Sequence, residues 1–208
     1  MRQDATLEEL RSEFDRFGGR TLSFPIAGTI AWTATGIFGA FLPEDNASIA
    51  LFICIGMIFP LSLVFARILR EDVYSTKNEL DALFFRGLIM VILVWAIAIP
   101  FWFVEASSLP LSVGVLAGLH WIVYGWIVQH WVGMFHSVTR TILVLACWFV
   151  FPDHRFIAIP AAVVVVYLIT IWVLATRPLR SPLEVRKAPN PSLNPTGNRP
   201  ASCASAES

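Results

Sequence analysis

Charge is scarce in this 208-residue chain. Asp, Glu, Lys and Arg supply only 14% of it, where a water-soluble globule carries about a quarter, and the mean hydropathy is +0.68. Fifteen acidic residues balance 15 basic ones, so no global field draws in a nucleic acid. Cysteine is nearly absent. Cys54 and Cys147 fall inside apolar runs and Cys203 near the end, so no pair is placed for a structural disulfide. Catalytic signatures are missing too: the chain holds no G-x-S-x-G elbow, phosphate-binding loop, dinucleotide-binding glycine run or pair of carboxylates within an apolar run. His130 and His136 have no third ligand nearby, so no metal site is predicted and no cofactor is implied. These absences argue against a soluble enzyme and a nucleic-acid binder, and a 56% hydrophobic content argues against a disordered chain.

What the chain does have is long apolar runs. A helix rising about 1.5 Å per residue needs roughly 20 apolar residues to cross a hydrocarbon core. Six such runs occur, approximately at 21–42, 47–66, 83–104, 109–128, 134–151 and 156–175. None alternates as a barrel strand would, and an open strand leaves its backbone unpaired in lipid. The sequence therefore predicts an all-α integral membrane bundle of six transmembrane helices over 21–175, with the lipid bilayer as its first partner. Some twenty mostly polar residues precede the first run, which makes it a retained span rather than a cleaved signal.

If six helices cross, the basic residues fall almost entirely on one side. Arg2, Arg11, Arg16 and Arg20 precede the first run; Arg67, Arg70, Lys77 and Arg86 lie around the second connection; Arg140 flanks the fourth; Arg177, Arg180, Arg186, Lys187 and Arg199 follow the last. Arg155 alone falls opposite. Basic residues resist translocation, so both termini are expected in the cytoplasm. The fifth run is the shortest, with an uninterrupted apolar part of only 141–151, and Arg140 is expected to snorkel from it to the inner headgroups.

Residues 1–20 read as a cytoplasmic amphipathic helix, with Leu7, Leu10, Phe14 and Phe17 on one face and a Thr6–Glu9 capping box ahead of it. It either packs under the bundle or lies in the headgroup layer, and its mixed charge favours packing. Thr76 and Glu79 offer a second capping box before the third span. From residue 176 to 208, repeated prolines among Ser, Asn and Ala predict a disordered cytoplasmic tail.

Candidate chemistry concentrates in the fourth run. Gly114, Gly118 and Gly125 share one sector of a helix, and such a small-residue face lets another helix, a second copy or a membrane partner approach closely. His120 lies mid-span, where an ionisable group faces the bundle interior or a wet cavity. It reads either as a ligand-binding or proton-responsive residue, with Tyr124 as hydrogen-bond partner and Trp121 or Trp126 as an aromatic wall, or as a neutral His bonded between helices. His130, His136 and Arg140 gather where the fourth and fifth runs meet, as an inner-interface site for an anion or lipid headgroup or as ordinary interfacial anchors. Pro25, Pro60, Pro100 and Pro160 sit in four different runs, and the two halves of the chain show no repeat, so an inverted-repeat transporter is not indicated.

The stretch Gly118-Leu119-His120-Trp121-Ile122-Val123-Tyr124-Gly125-Trp126, with Ile58-Phe59-Pro60 and Asn78-Glu79-Leu80, resembles a family of small bacterial multi-pass membrane proteins of unknown function over about residues 8–175. The resemblance implies a bacterial inner-membrane location and no established activity. Two readings of function stay open: an internal polar site around His120 and Tyr124 that binds or passes a small solute, and a non-catalytic scaffold packing through the glycine face.

Overall fold

The computed structural model describes residues 6–18, 20–71 and 78–178, with the backbone alone for 16–18. The expected tail therefore lies almost wholly outside the described residues, as do the Phe17 side chain and Thr76. Seven helices are present among the described residues. Helix α1 is Leu7–Gly18. The other six are long and apolar enough to cross a membrane: α2 (Ser23–Phe41), α3 (Glu44–Leu69), α4 (Glu79–Val104), α5 (Ser108–Val128), α6 (Val132–Val150) and α7 (Pro152–Thr176). Each coincides with one of the six apolar runs.

Local chemistry explains where the ends fall. Thr6 and Glu9 exchange bonds at the start of α1, Thr6 N–H to Glu9 Oε2 at 2.8 Å and Glu9 N–H to Thr6 Oγ1 at 3.4 Å. Helix α4 opens four residues before its apolar run because Asn78, not Thr76, caps it. Asn78 Oδ1 accepts from Leu80 N–H at 2.9 Å and its own N–H donates to Asp81 at 3.3 Å. Three helices are interrupted, α3 at Met57, α4 at Val94 and α5 over 117–119. In α3 the cause is Pro60, which has no N–H for the Gly56 carbonyl.

The bundle is built around α2 and α7, the first and last long helices, which make the most extensive contact. Helix α3 packs on α2, and α6 on α7. Helix α5 fills the remaining side, against α4, α6 and α7. Helices α3 and α4 are bridged by aromatic rings, with Phe52 stacked on Trp95 at 4.8 Å and edge-on to Trp102 at 5.5 Å.

Helix α1 packs against α4 and α5 at one end of the bundle. Phe14 is buried and meets Phe84 at 6.2 Å, and Phe84 in turn meets Phe24 of α2 and Tyr124 of α5. Polar ties complete this end. Asn78 Nδ2 donates to the Leu10 carbonyl at 2.7 Å, and the Glu71 carboxylate accepts from the Leu22 and Ser23 N–H groups at 2.7 and 3.1 Å, satisfying donors at the start of α2. Most strongly, Asp15 and Arg177 form a two-bond ion pair at 2.9 and 3.2 Å, with both side chains buried. Burial by itself would lower the Arg177 pKa; the adjoining Asp15 carboxylate and Tyr124 hydroxyl reverse that and hold it above its ordinary value. At the opposite end, Arg155 lies over the Trp148 ring at 3.5 Å and donates to Ser107 Oγ at 2.7 Å.

Candidate functional site

The site grows out of the break in α5. Over 117–119 the backbone tightens from α to 3₁₀ hydrogen bonding: Gly118 N–H goes to the Val115 carbonyl, Trp121 N–H to Gly118 and Ile122 N–H to Leu119. The Gly114 and Ala117 oxygens lose their α-helical donors in this way and are taken by side chains, while the Gly118 oxygen keeps the Trp121 N–H and gains a second donor. The Gly114 oxygen accepts from Arg140 Nε at 2.6 Å, the Ala117 oxygen binds His120 Nδ1 at 2.7 Å, and the Gly118 oxygen accepts from Ser137 Oγ at 3.0 Å. The unwound turn is thus satisfied by α6 and by its own histidine.

Arg140 is the residue this arrangement serves. It lies eight residues into α6, about 12 Å along the axis, and is 1% exposed. Its Nη1 donates to the Tyr167 hydroxyl at 3.2 Å, and its guanidinium carbon sits 5.2 Å from the Trp32 ring centroid and 5.4 Å from that of Tyr167. Nη2 has no hydrogen-bond partner, and Arg140 forms no ion pair among the described residues. Gly118 makes the geometry possible, because a Cβ there would come within 2.8 Å of Arg140 Cδ. One turn before Arg140, His136 is fully buried and stacked on Trp121 at 4.4 Å, with Tyr167 edge-on at 4.8 Å. The Thr170 hydroxyl spends its hydrogen on the Val166 carbonyl, so it accepts from His136 Nδ1 at 2.9 Å. With the ring neutral, Nε2 is an acceptor and Trp121 Nε1 a donor, each without a partner among the described residues.

Beside this cluster lies a chamber of about 470 Å³, between α2, α3, α4 and α5. Its inner wall carries Trp32, His120, Trp121, Arg140 and Tyr167, and the rest is apolar. It reaches the flank of the bundle between α3 and α4, where Phe59, Ile89 and Ile92 line it and are themselves exposed.

The structure separates the residues that the sequence grouped. His120 and Trp121 line the chamber. Tyr124 does not: it is buried towards the α1 end, with its hydroxyl beside Thr21 and Arg177. Trp126 is exposed and covered by the Arg11 guanidinium at 4.7 Å. The expected inner-interface trio is corrected. His136 and Arg140 are interior residues, because α6 begins at Val132 and Gly118 opens a path for the guanidinium, so Arg140 does not snorkel. His130 stays at the α5–α6 turn, its Nδ1 accepting from Val132 N–H at 3.3 Å. Burial, then the Arg177 charge, push its pKa below the ordinary value.

The glycine face does serve close helix approach. Gly114 packs on Val144 and Ile159, Gly118 on Arg140, and Gly125 on Gly133 of α6, so these glycines meet helices of the same chain. Sequence reasoning missed Tyr167, Trp32 and Thr170. A retrospective signal was available for two of them: His136 and Arg140 are four apart on α6, and Tyr167 and Thr170 three apart on α7, each pair on one helix face.

No curated protein and no solved structure gives a significant match to the chain. A family model does match, over residues 7–177, which takes in all seven helices and ends at Arg177. With most of its length covered, the chain belongs to a family of unknown function, DUF7010.

Proposed function

We propose that this is a multi-pass membrane protein of the bacterial inner membrane that holds a small solute in the chamber beside α5. The observation that carries the reading is the chamber itself. Its volume is within the ~300–1,000 Å³ typical of small-molecule sites, its wall is largely apolar, and a few polar groups converge on one side of it. His120 and Trp121, which the sequence marked for ligand binding, stand on that side. No catalytic group is assigned. The glycines that the alternative scaffold reading invokes meet helices of the same chain.

Filling the chamber tests the reading. Leu88 is a half-buried lining residue of α4, and Leu88→Trp would occupy the space while leaving the polar side intact. Native mass spectrometry of protein released from nanodiscs should find a small-molecule adduct on the wild type and little on Leu88→Trp. Equal adducts on both, or none on either, would remove the reading.

For the topology we propose cytoplasmic termini, supported by the one-sided distribution of Lys and Arg. Reporter fusions after Lys77, Ser137 and Ser181 should be active inside the cell, and fusions after Asn46 and Ser107 outside. An outside signal at Ser181 would sink this orientation.

A further inference from the structure

The chamber reading leaves its ligand unspecified, and the buried guanidinium narrows it. Resting on that reading, we propose that the ligand is an amphiphile with one anionic head, a carboxylate or a phosphate on an apolar chain, which enters sideways between α3 and α4 and sets its head against Arg140.

Three observations converge. First, Arg140 is buried without a counter-ion among the described residues. Of its five N–H donors, the bonds to Gly114 and Tyr167 use two, and Nη2 has none. A buried charge without an opposite charge is costly, and the lining of the chamber contains no acidic side chain. An anion would supply what the fold withholds, and guanidinium geometry suits the paired oxygens of a carboxylate or phosphate.

Second, neighbouring groups add donors of the same sign. The Tyr167 hydroxyl accepts from Arg140 and keeps its own hydrogen for a ligand, and Trp121 Nε1 has no partner. Both residues share the wall with Arg140.

Third, the rest of the chamber suits an apolar body. Ile55, Leu88 and Trp95 line it, and Gly56 puts no side chain in the way. Such walls give a small hydrated anion nothing in return for its lost water. Phe59, Ile89 and Ile92 mark the mouth, on the flank that would face acyl chains, so the ligand could arrive from the bilayer without crossing an aqueous opening.

The test uses the full chain in phosphatidylcholine vesicles with three photoreactive probes: hexadecanoic acid carrying a diazirine, the corresponding alcohol, and phosphatidylglycerol with the same diazirine-bearing chain. Labelled peptides are located by mass spectrometry. On the wild type, at least one anionic probe should label residues 55–59 and 85–95 about tenfold more than the alcohol does, as expected of one charge-assisted contact. Labelling by the acid identifies a free carboxylate as the source, and labelling by phosphatidylglycerol a lipid headgroup; either supports the proposal. In Arg140→Met the anionic preference should vanish, while Arg140→Lys should keep part of it. Because acid and alcohol are compared on the wild type, the test survives a failure of Arg140→Met to fold. If the alcohol labels the chamber as well as the anions do, the anionic head is overturned and the chamber stands. If no probe labels it, and labelling elsewhere is unchanged in Leu88→Trp, both readings fall.

Discussion

An Asp15→Asn protein is expected to lose about 3–5 kcal/mol of stability, the cost of stranding one member of a buried ion pair. The amide keeps the size and one acceptor oxygen but leaves the buried Arg177 without its carboxylate at the junction of α1 and α7. The magnitude comes from burying the cation without its carboxylate rather than from the attraction removed, which gives a sharper companion test. Replacing both partners with apolar residues of similar volume, Asp15→Leu with Arg177→Met, should recover most of the loss, since neither charge then needs a partner. SDS titration of the folded protein in mixed micelles would measure both. Equal instability of the double and single variants would show that the pair acts through packing instead.

Gly133→Ala should be more disruptive than any conservative change on the outer faces. A methyl at Gly133 would lie on the Trp121 carbonyl oxygen and 2.6 Å from Gly125 Cα. Both obstacles are backbone, so no rotamer change can relieve them, and α5 and α6 must separate where His136 stacks on Trp121. Overpacking usually costs about 1–3 kcal/mol, and with two main chains in contact the loss is expected at or above the top of that range. Gly56→Ala is the matched control: nothing lies within 4 Å of its added carbon, and alanine favours a helix, so no loss is expected there. Thermal denaturation in detergent would rank the two. Similar melting temperatures would mean that the helices are not held as close as described.

The contrast with the sequence reading follows from how far each signal travels along the chain. The six long helices were legible because each apolar run carries its own information, and the Thr6–Glu9 cap because its partners are three residues apart. Asp15 and Arg177 are separated by 162 positions, and Glu71 caps a helix 48 and 49 residues away, so no local pattern announces either. Arg140 was legible as an ionisable residue near a span end but not as an interior one. Its depth depends on α6 starting at Val132, on an absent side chain at Gly118, and on a 3₁₀ turn over 117–119 that contains no proline. The glycines were rightly read as a surface for close approach. Their neighbours proved to be α6 and α7 of the same molecule.

The marriage of α2 to α7 has a bearing on biogenesis. Helix α2 meets its principal neighbour only once α7 has been made, and the Arg177 partner of Asp15 comes 162 residues after it. These segments must therefore wait while four intervening helices are made. Closure of the bundle is therefore a late event, and a chain released before Arg177 would keep its helices but forfeit the latch between α1 and the end of α7.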